Sequence, residues 1–269
     1  MEELRLTFKK EIDIKLEADV ITPDTFAGKT AEEIENLSVW QGPNSVPLGE
    51  FFEVEGKTGA TAEETLIRII GDAYRVKQIG AEMSAGRIEI EGSAGMRVGA
   101  GMKGGELVVF GNADSWAGME MEGGLLHIKG DAGDHVGCAY RGAWHGMKGG
   151  RIVIDGSARH QLGGGMDGGE ILVGGSVRHF CGIHQNGGLI AVRGGAFRGV
   201  GVEMNGGTIV ICGKIERFSP GFELTGTESG LSFGELEYEG EFKKFTGDYA
   251  VSKRAKGVLY AGAAKNPEL

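Results

Sequence analysis

Two histidines, His160 and His179, stand 19 residues apart in a chain whose other chemistry-bearing residues recur at the same interval. Asp134, His160, His179, Arg198 and Arg217 hold equivalent positions in successive sequence units, with Ser115 before them. If those units stack as strands about 4.8 Å apart, the two imidazoles come close enough to share a metal ion or move a proton. A third ligand at a matching interval is missing, and neither an HxH nor an HExxH pattern occurs. The column therefore reads as an exterior polar ladder, facing solvent or a partner. Cys138, Cys181 and Cys212 fall at different positions of the unit and form no CxxC, so a zinc or iron–sulfur site built by this chain alone is not expected. Glycine-rich strings such as GAGMKGG lack the GxxxxGK[ST] pattern and the following helix of a phosphate loop, and no nucleophile elbow is present.

These residues are positioned by a repeat. From Gly86 to Gly213 the sequence renews itself every 19 residues, with glycine first, seventh, fourteenth and last in each complete unit. Position three holds Ile88, Leu107, Leu126, Ile152, Ile171, Ile190 and Ile209; position five holds Ile90, Val109, Ile128, Ile154, Val173, Val192 and Ile211. Alternating, β-branched apolar residues closed by glycine describe short strands with one face inward. Small residues at position nine (Ala94, Ala113, Ala132, Ala158) suit a narrow interior, and polar turn-formers occupy position eight (Ser93, Asn112, Asp131, Ser157, Ser176). A methionine column at position seventeen (Met102, Met121, Met147, Met166, Met204, interrupted by Gln185) reads as soft core filler. The prediction is an all-β fold: a single-stranded right-handed parallel β-helix, or solenoid, with about 19 residues per coil and terminal caps. Residues 1–65 form an N-terminal cap and docking region, 66–215 the repeats and 216–269 a C-terminal cap. Within the first of these, TAEEIENL opens like a short helix capped by Thr30.

Two departures from the repeat point to contact surfaces. Seven residues are inserted within CAYRGAWHG, which places Tyr140, Arg141, Trp144 and His145 on one bulge. Insertions in stacked repeats map to loops on one face, and Tyr, Trp and Arg are frequent interface anchors. Partner contact, local packing and a catalytic role all remain open for this bulge. Position four should point outward, yet it carries Val108, Val153 and Leu172, continuing with Ala191 and Val210. An apolar stripe on an outer face must be covered by a cap or another protein. Together with His160 and His179, these residues are the candidate partner contacts.

The net charge of −10, from 38 acidic and 28 basic residues, argues against nucleic-acid binding. No apolar run approaches the 18 residues needed to span a membrane, the first twenty residues lack a signal-peptide core, and the odd unpaired cysteines suit the cytoplasm.

The units resemble the GxxGxxxG β-helix domain shared by the glutamate synthase large subunit and by the C subunit of formylmethanofuran dehydrogenase and the related formyltransferase/hydrolase complex. The C subunit is the nearer resemblance. It extends through PDTFAGKTAEEIENL and LGEFFEVEG, the repeat segment GAGMKGGELVVFGNADSWAGMEMEGG, the insertion YRGAWHGMKGG and the tail FTGDYAVSKRAKGVLYA. The resemblance implies a scaffold subunit of an oxidoreductase complex that reversibly reduces CO2 and fixes it as a formyl group on methanofuran. It also implies partners: catalytic A and B subunits and a D subunit, which carry a tungsto- or molybdopterin, iron–sulfur clusters and a dinuclear metal site. It transfers no catalytic residue and no bound cofactor to this chain. A glutamate synthase role and a β-helix polysaccharide-active enzyme are the alternatives; the scattered external acids disfavour the latter.

Overall fold

In a computed structural model describing residues 1–269, the repeat units pile up in register. Ile88, Leu107, Leu126, Ile152, Ile171, Ile190 and Ile209 are successive partners across parallel strands, and all seven are fully buried. The residues at positions five, nine, thirteen and seventeen are buried with them in one continuous core. The insertion does not disturb this register: Leu126 still pairs with Ile152, so the extra residues loop out beyond the stack.

The expectation of an all-β, single-stranded right-handed parallel β-helix is corrected by the whole topology. Thirteen strands form one mixed sheet, joined by a four-stranded mixed sheet and a three-stranded parallel sheet. Two short α-helices, Pro23–Phe26 and Ala31–Glu35, complete an α/β architecture. The reason lies in the segments without the glycine period. Strand Glu2–Phe8 pairs in parallel with Thr65–Ile70 and antiparallel with Phe52–Gly56. At the other end Glu223–Phe233 and Leu236–Gly247 form an antiparallel hairpin, and Gly257–Gly262 returns to lie parallel with Thr208–Ile211. The terminal segments thus extend the sheet instead of only closing it. The helix at Ala31–Glu35 is set by a capping box: Thr30 accepts from the Glu33 N–H while the Glu33 carboxylate accepts from the Thr30 N–H.

Glycine has two separate duties. At position fourteen, Gly118 adopts φ +60°, and a Cβ there would lie 2.5 Å from Ile152 Cδ1. At position nineteen the constraint is close approach, since a Cβ on Gly123 would sit 2.3 Å from the Lys103 carbonyl oxygen. Position eight supplies the corner bonding. Asp72, Ser93, Asn112, Asp131, Ser157 and Ser176 each accept a backbone N–H from the next unit through a side-chain oxygen, at 2.7–3.2 Å. This side-chain ladder satisfies donors that the bent backbone cannot pair.

The outer stripe is covered at one end by the chain itself. Leu189, Ala191, Val210 and Tyr260 form a second core with Leu231, Tyr238 and Phe242 of the hairpin. Burying each large side chain contributes about 1.5–3 kcal/mol, enough to hold the hairpin flat against the sheet. No helix is long and apolar enough to cross a membrane.

Candidate interface site

The seven-residue loop is built on a column that the repeat imposes. Position twelve of successive units, at Arg97, Trp116, His135, Gln161 and Phe180, adopts left-handed backbone with φ between 57° and 63°. Each such non-glycine residue costs about 1–2 kcal/mol, and the turn between inner strands imposes it repeatedly. The result is a row of large side chains aimed outward. Trp116 and His135 stack face to face, with centroids 4.6 Å apart and planes 10° from parallel.

The loop closes over this row. Its entry is fixed by Cys138, whose thiol donates to the Gln161 carbonyl at 2.5 Å and accepts from the Gly164 N–H at 3.1 Å. Burial pushes that thiol up to about 12, so it stays protonated and serves as a polar pin. Tyr140 receives the Arg97 guanidinium 5.2 Å from its ring centroid, and its N–H donates to Glu120 Oε1 at 2.8 Å. Arg141 lies over Trp116 at 5.3 Å, Trp144 meets the edge of His184 at 5.4 Å, and His145 Nδ1 lies 2.6 Å from Asp167 Oδ2. Beneath the loop is a cavity of about 230 Å³ lined by Trp116, His135, Arg141, Trp144, Gln161 and His184 among others. Burial lowers the His135 pKa, partly opposed by Asp134, and its Nδ1 is buried without a hydrogen-bond partner.

Anchoring still leaves much of the loop in solvent: Trp144 is 69% exposed and Tyr140 48%, while Arg141 and His145 are exposed beside them. The ladder at position eleven adjoins this surface, because the His135 N–H donates to the His160 carbonyl. His160 and His179 approach to 4.8 Å between ring centroids. His179 Nδ1 accepts from Arg198 Nε at 2.9 Å. Desolvation, then Arg198, His160 and Arg178, lowers the His179 pKa, which keeps that acceptor nitrogen unprotonated.

The structure does not unite all the predicted contacts. Val108, Val153 and Leu172 lie on the thirteen-stranded sheet, away from the loop and its ladder. Val108 is only 4% exposed. Leu172 packs against the hairpin cluster, and Val153 with Leu172 lines the groove beside Leu236 and Tyr238. Sequence patterns alone did not single out Trp116, His135, Gln161 and His184. The first three share position twelve of the unit with Arg97 and Phe180, a bulky column two residues before the glycine of position fourteen.

No three His, Cys, Asp or Glu side chains gather for a metal ion. Cys181 is held protonated by burial, up to about 12, and burial also raises Cys212. Thiolate or mixed ligation of a metal or cluster does not fit these residues. Among the imidazoles, His127, His145 and His184 each pair with one carboxylate and His179 with one guanidinium, while the Cys138 thiol that shares the cavity with His135 and His184 is held protonated by burial.

No family model matches the chain. It is 82% identical to the C subunit of molybdenum-containing formylmethanofuran dehydrogenase 1 from Methanosarcina barkeri, over 269 residues that span all of this chain and 89% of the relative. Over 96 residues it is 46% identical to the C subunit of tungsten-containing formylmethanofuran dehydrogenase 2 from Methanothermobacter wolfeii, covering 36% of each. Among solved structures, a chain of the formyltransferase/hydrolase complex (FhcABCD) from Methylorubrum extorquens, in complex with methylofuran, superposes with a TM-score of 0.82 at 28% identity. That match covers 96% of this chain and 99% of that one.

Proposed function

The chain belongs to the family of formylmethanofuran dehydrogenase C subunits, and from that premise we infer that it is the scaffold subunit of such a complex, without an active site of its own. The complex reversibly reduces CO2 and transfers the carbon as a formyl group to methanofuran. The observation that carries the scaffold role is the contrast within the site. Tyr140 and Trp144 are held in place by Arg97, Glu120 and His184 while presenting open ring surface, and no ligand set or activated nucleophile accompanies them. Rigid aromatic anchors with an arginine nearby are the residue types that carry interface energy.

On this reading the loop residues Tyr140, Arg141, Trp144 and His145 meet a catalytic subunit, and His160 with His179 continues that contact. Val153 and Leu172 offer a second, shallower apolar contact beside the hairpin. The tungsten or molybdenum pterin, the iron–sulfur clusters and the dinuclear metal site reside on the A, B and D subunits, in the cytoplasm. A second reading, a subunit of a formyltransferase/hydrolase complex, is favoured by the likeness along nearly the whole chain to a member of such an assembly.

The test is anaerobic co-expression of this chain, tagged, with its A, B and D partners. The scaffold reading expects co-purification of all partners, CO2-reducing activity in the assembly and none in the isolated chain. Activity of the chain alone, or purification free of every partner, overturns it. An assembly that hydrolyses formyl groups but neither oxidises them nor reduces CO2 selects the second reading.

A further inference from the structure

Although the chain carries 38 acidic and 28 basic residues, one face reverses that balance. The three-stranded parallel sheet consists of Val177–His179, Ala196–Arg198 and Ile215–Arg217. It forms only in the last units. Position ten there holds Arg178, Phe197 and Glu216, whereas the early units have Gly95, Asp114 and Gly133, poor strand formers that leave single bridges. Arg178, Arg198 and Arg217 are exposed on this sheet. Glu216, the one acidic residue of the three strands, is taken by Lys214 at 3.2 Å, and Arg159 beside the sheet stands 3.9 Å from Asp134. None of the three sheet arginines has a carboxylate of this chain.

Their guanidinium groups are nevertheless oriented. His179, Arg198 and Arg217 are successive partners in register, so the two arginines stand one strand spacing apart, about 4.8 Å. Arg198 lies 5.7 Å over the Phe180 ring with Nε donating to His179, and Arg217 lies 5.9 Å over Phe197. Phe197 is itself 41% exposed. Stacking on rings settles each fork and leaves its remaining N–H groups open to an acceptor. Arginine forks held this way match planar carboxylates in bidentate fashion. Carboxylates three or four residues apart on a helix have Cβ atoms about 5–6 Å apart, close to the arginine spacing. We propose that this arginine–aromatic face docks an acidic segment of a partner protein in the complex, with carboxylates one helical turn apart engaging Arg198 and Arg217. The proposal rests on the scaffold reading and adds to it the face and the chemistry of the partner.

The experiment uses the whole co-expressed complex carrying Arg178→Glu, Arg198→Glu and Arg217→Glu together in this chain. A milder Arg198→Gln, Arg217→Gln variant removes charge while keeping length, and Trp144→Ala serves as an independent variant on the loop. The docking proposal expects at least tenfold weaker retention of one partner in the Glu variant and intermediate loss in the Gln variant. It also expects release of the same partner from the unmodified complex as salt rises. If the unmodified chain retains its partners and both arginine variants retain them equally, the docking proposal fails while the scaffold reading stands. If the unmodified chain retains none, the scaffold reading has failed. Should the Glu variant misfold, the Gln variant decides alone. Loss of self-association with unchanged partners, or release of bound nucleic acid with unchanged partners, also overturns the proposal.

Discussion

At the residue scale, the corner ladder and the buried polar side chains make separable predictions. Asn112 Oδ1 accepts from the Asp131 N–H at 2.7 Å. Asn112→Ala deletes one such bond at a corner water can reach, so it should cost about 1 kcal/mol and lower the melting temperature by about 2–4 °C, read by thermal circular dichroism. Gln185 is the reverse case. It stands in the methionine column, fully buried, with Nε2 donating to the Gly187 and Gly188 carbonyls but Oε1 unpaired. The Gly188 carbonyl also accepts from the Thr208 N–H. Gln185→Met should therefore leave stability unchanged or raise it by up to about 1 kcal/mol, and a lowered denaturation midpoint would show that the amide is needed. The thiols give a third expectation. With Cys138 and Cys181 held protonated by burial, neither should react with iodoacetamide at pH 8 in the native chain, while both react in denaturant; peptide mapping distinguishes the two. The methionine and position-eight columns were legible from the sequence because they repeat. The loss that Gln185 introduces was not, since an unpaired amide oxygen depends on which N–H donors its neighbours have already taken.

At the element scale, the loop and the hairpin differ in how much of them could be read. The insertion was visible as a break in the period, and its exposure followed from the stack having no room for seven more residues. Its anchoring was hidden. Arg97–Tyr140, Arg141–Trp116 and Trp144–His184 join residues from different units, and Arg97 and Trp116 at position twelve and His184 at position sixteen all adopt left-handed backbone. Deleting residues 140–146 restores the 19-residue spacing between Met121 and Met147, and with it that between Leu126 and Ile152. The shortened chain should keep its far-ultraviolet spectrum and melt within a few degrees of the parent, yet lose at least tenfold in partner retention; retention at parental level would place the interface elsewhere. The hairpin could not be foreseen to cover Ala191 and Val210, because its strands carry no repeat that ties them to the sheet.

At the scale of the whole molecule, two titratable imidazoles link stability to acidity. Burial lowers the pKa of both His135 and His179 in the folded chain. A histidine with a depressed folded pKa binds fewer protons folded than unfolded, so its stabilising share is present above the unfolded value of about 6.5 and is lost as pH falls through the folded value. Denaturation midpoints should thus decline as pH drops below about 6.5, and the decline should shrink in His135→Gln; equal slopes in the two chains would assign the effect to other groups. What the sequence by itself determined is the stacked centre. A period of 19 with fixed glycines and inward β-branched residues leaves one way to bury every unit, so strand register, core columns and the looped insertion all follow from local pattern. What only the tertiary structure decided is the rest: a mixed sheet extended at both ends, the hairpin laid over the outer stripe, and an aromatic row that grips the loop. Those features depend on long-range pairing between segments that share no period, where the free energy of the contact is set by what each surface meets and not by the residues beside it in the chain.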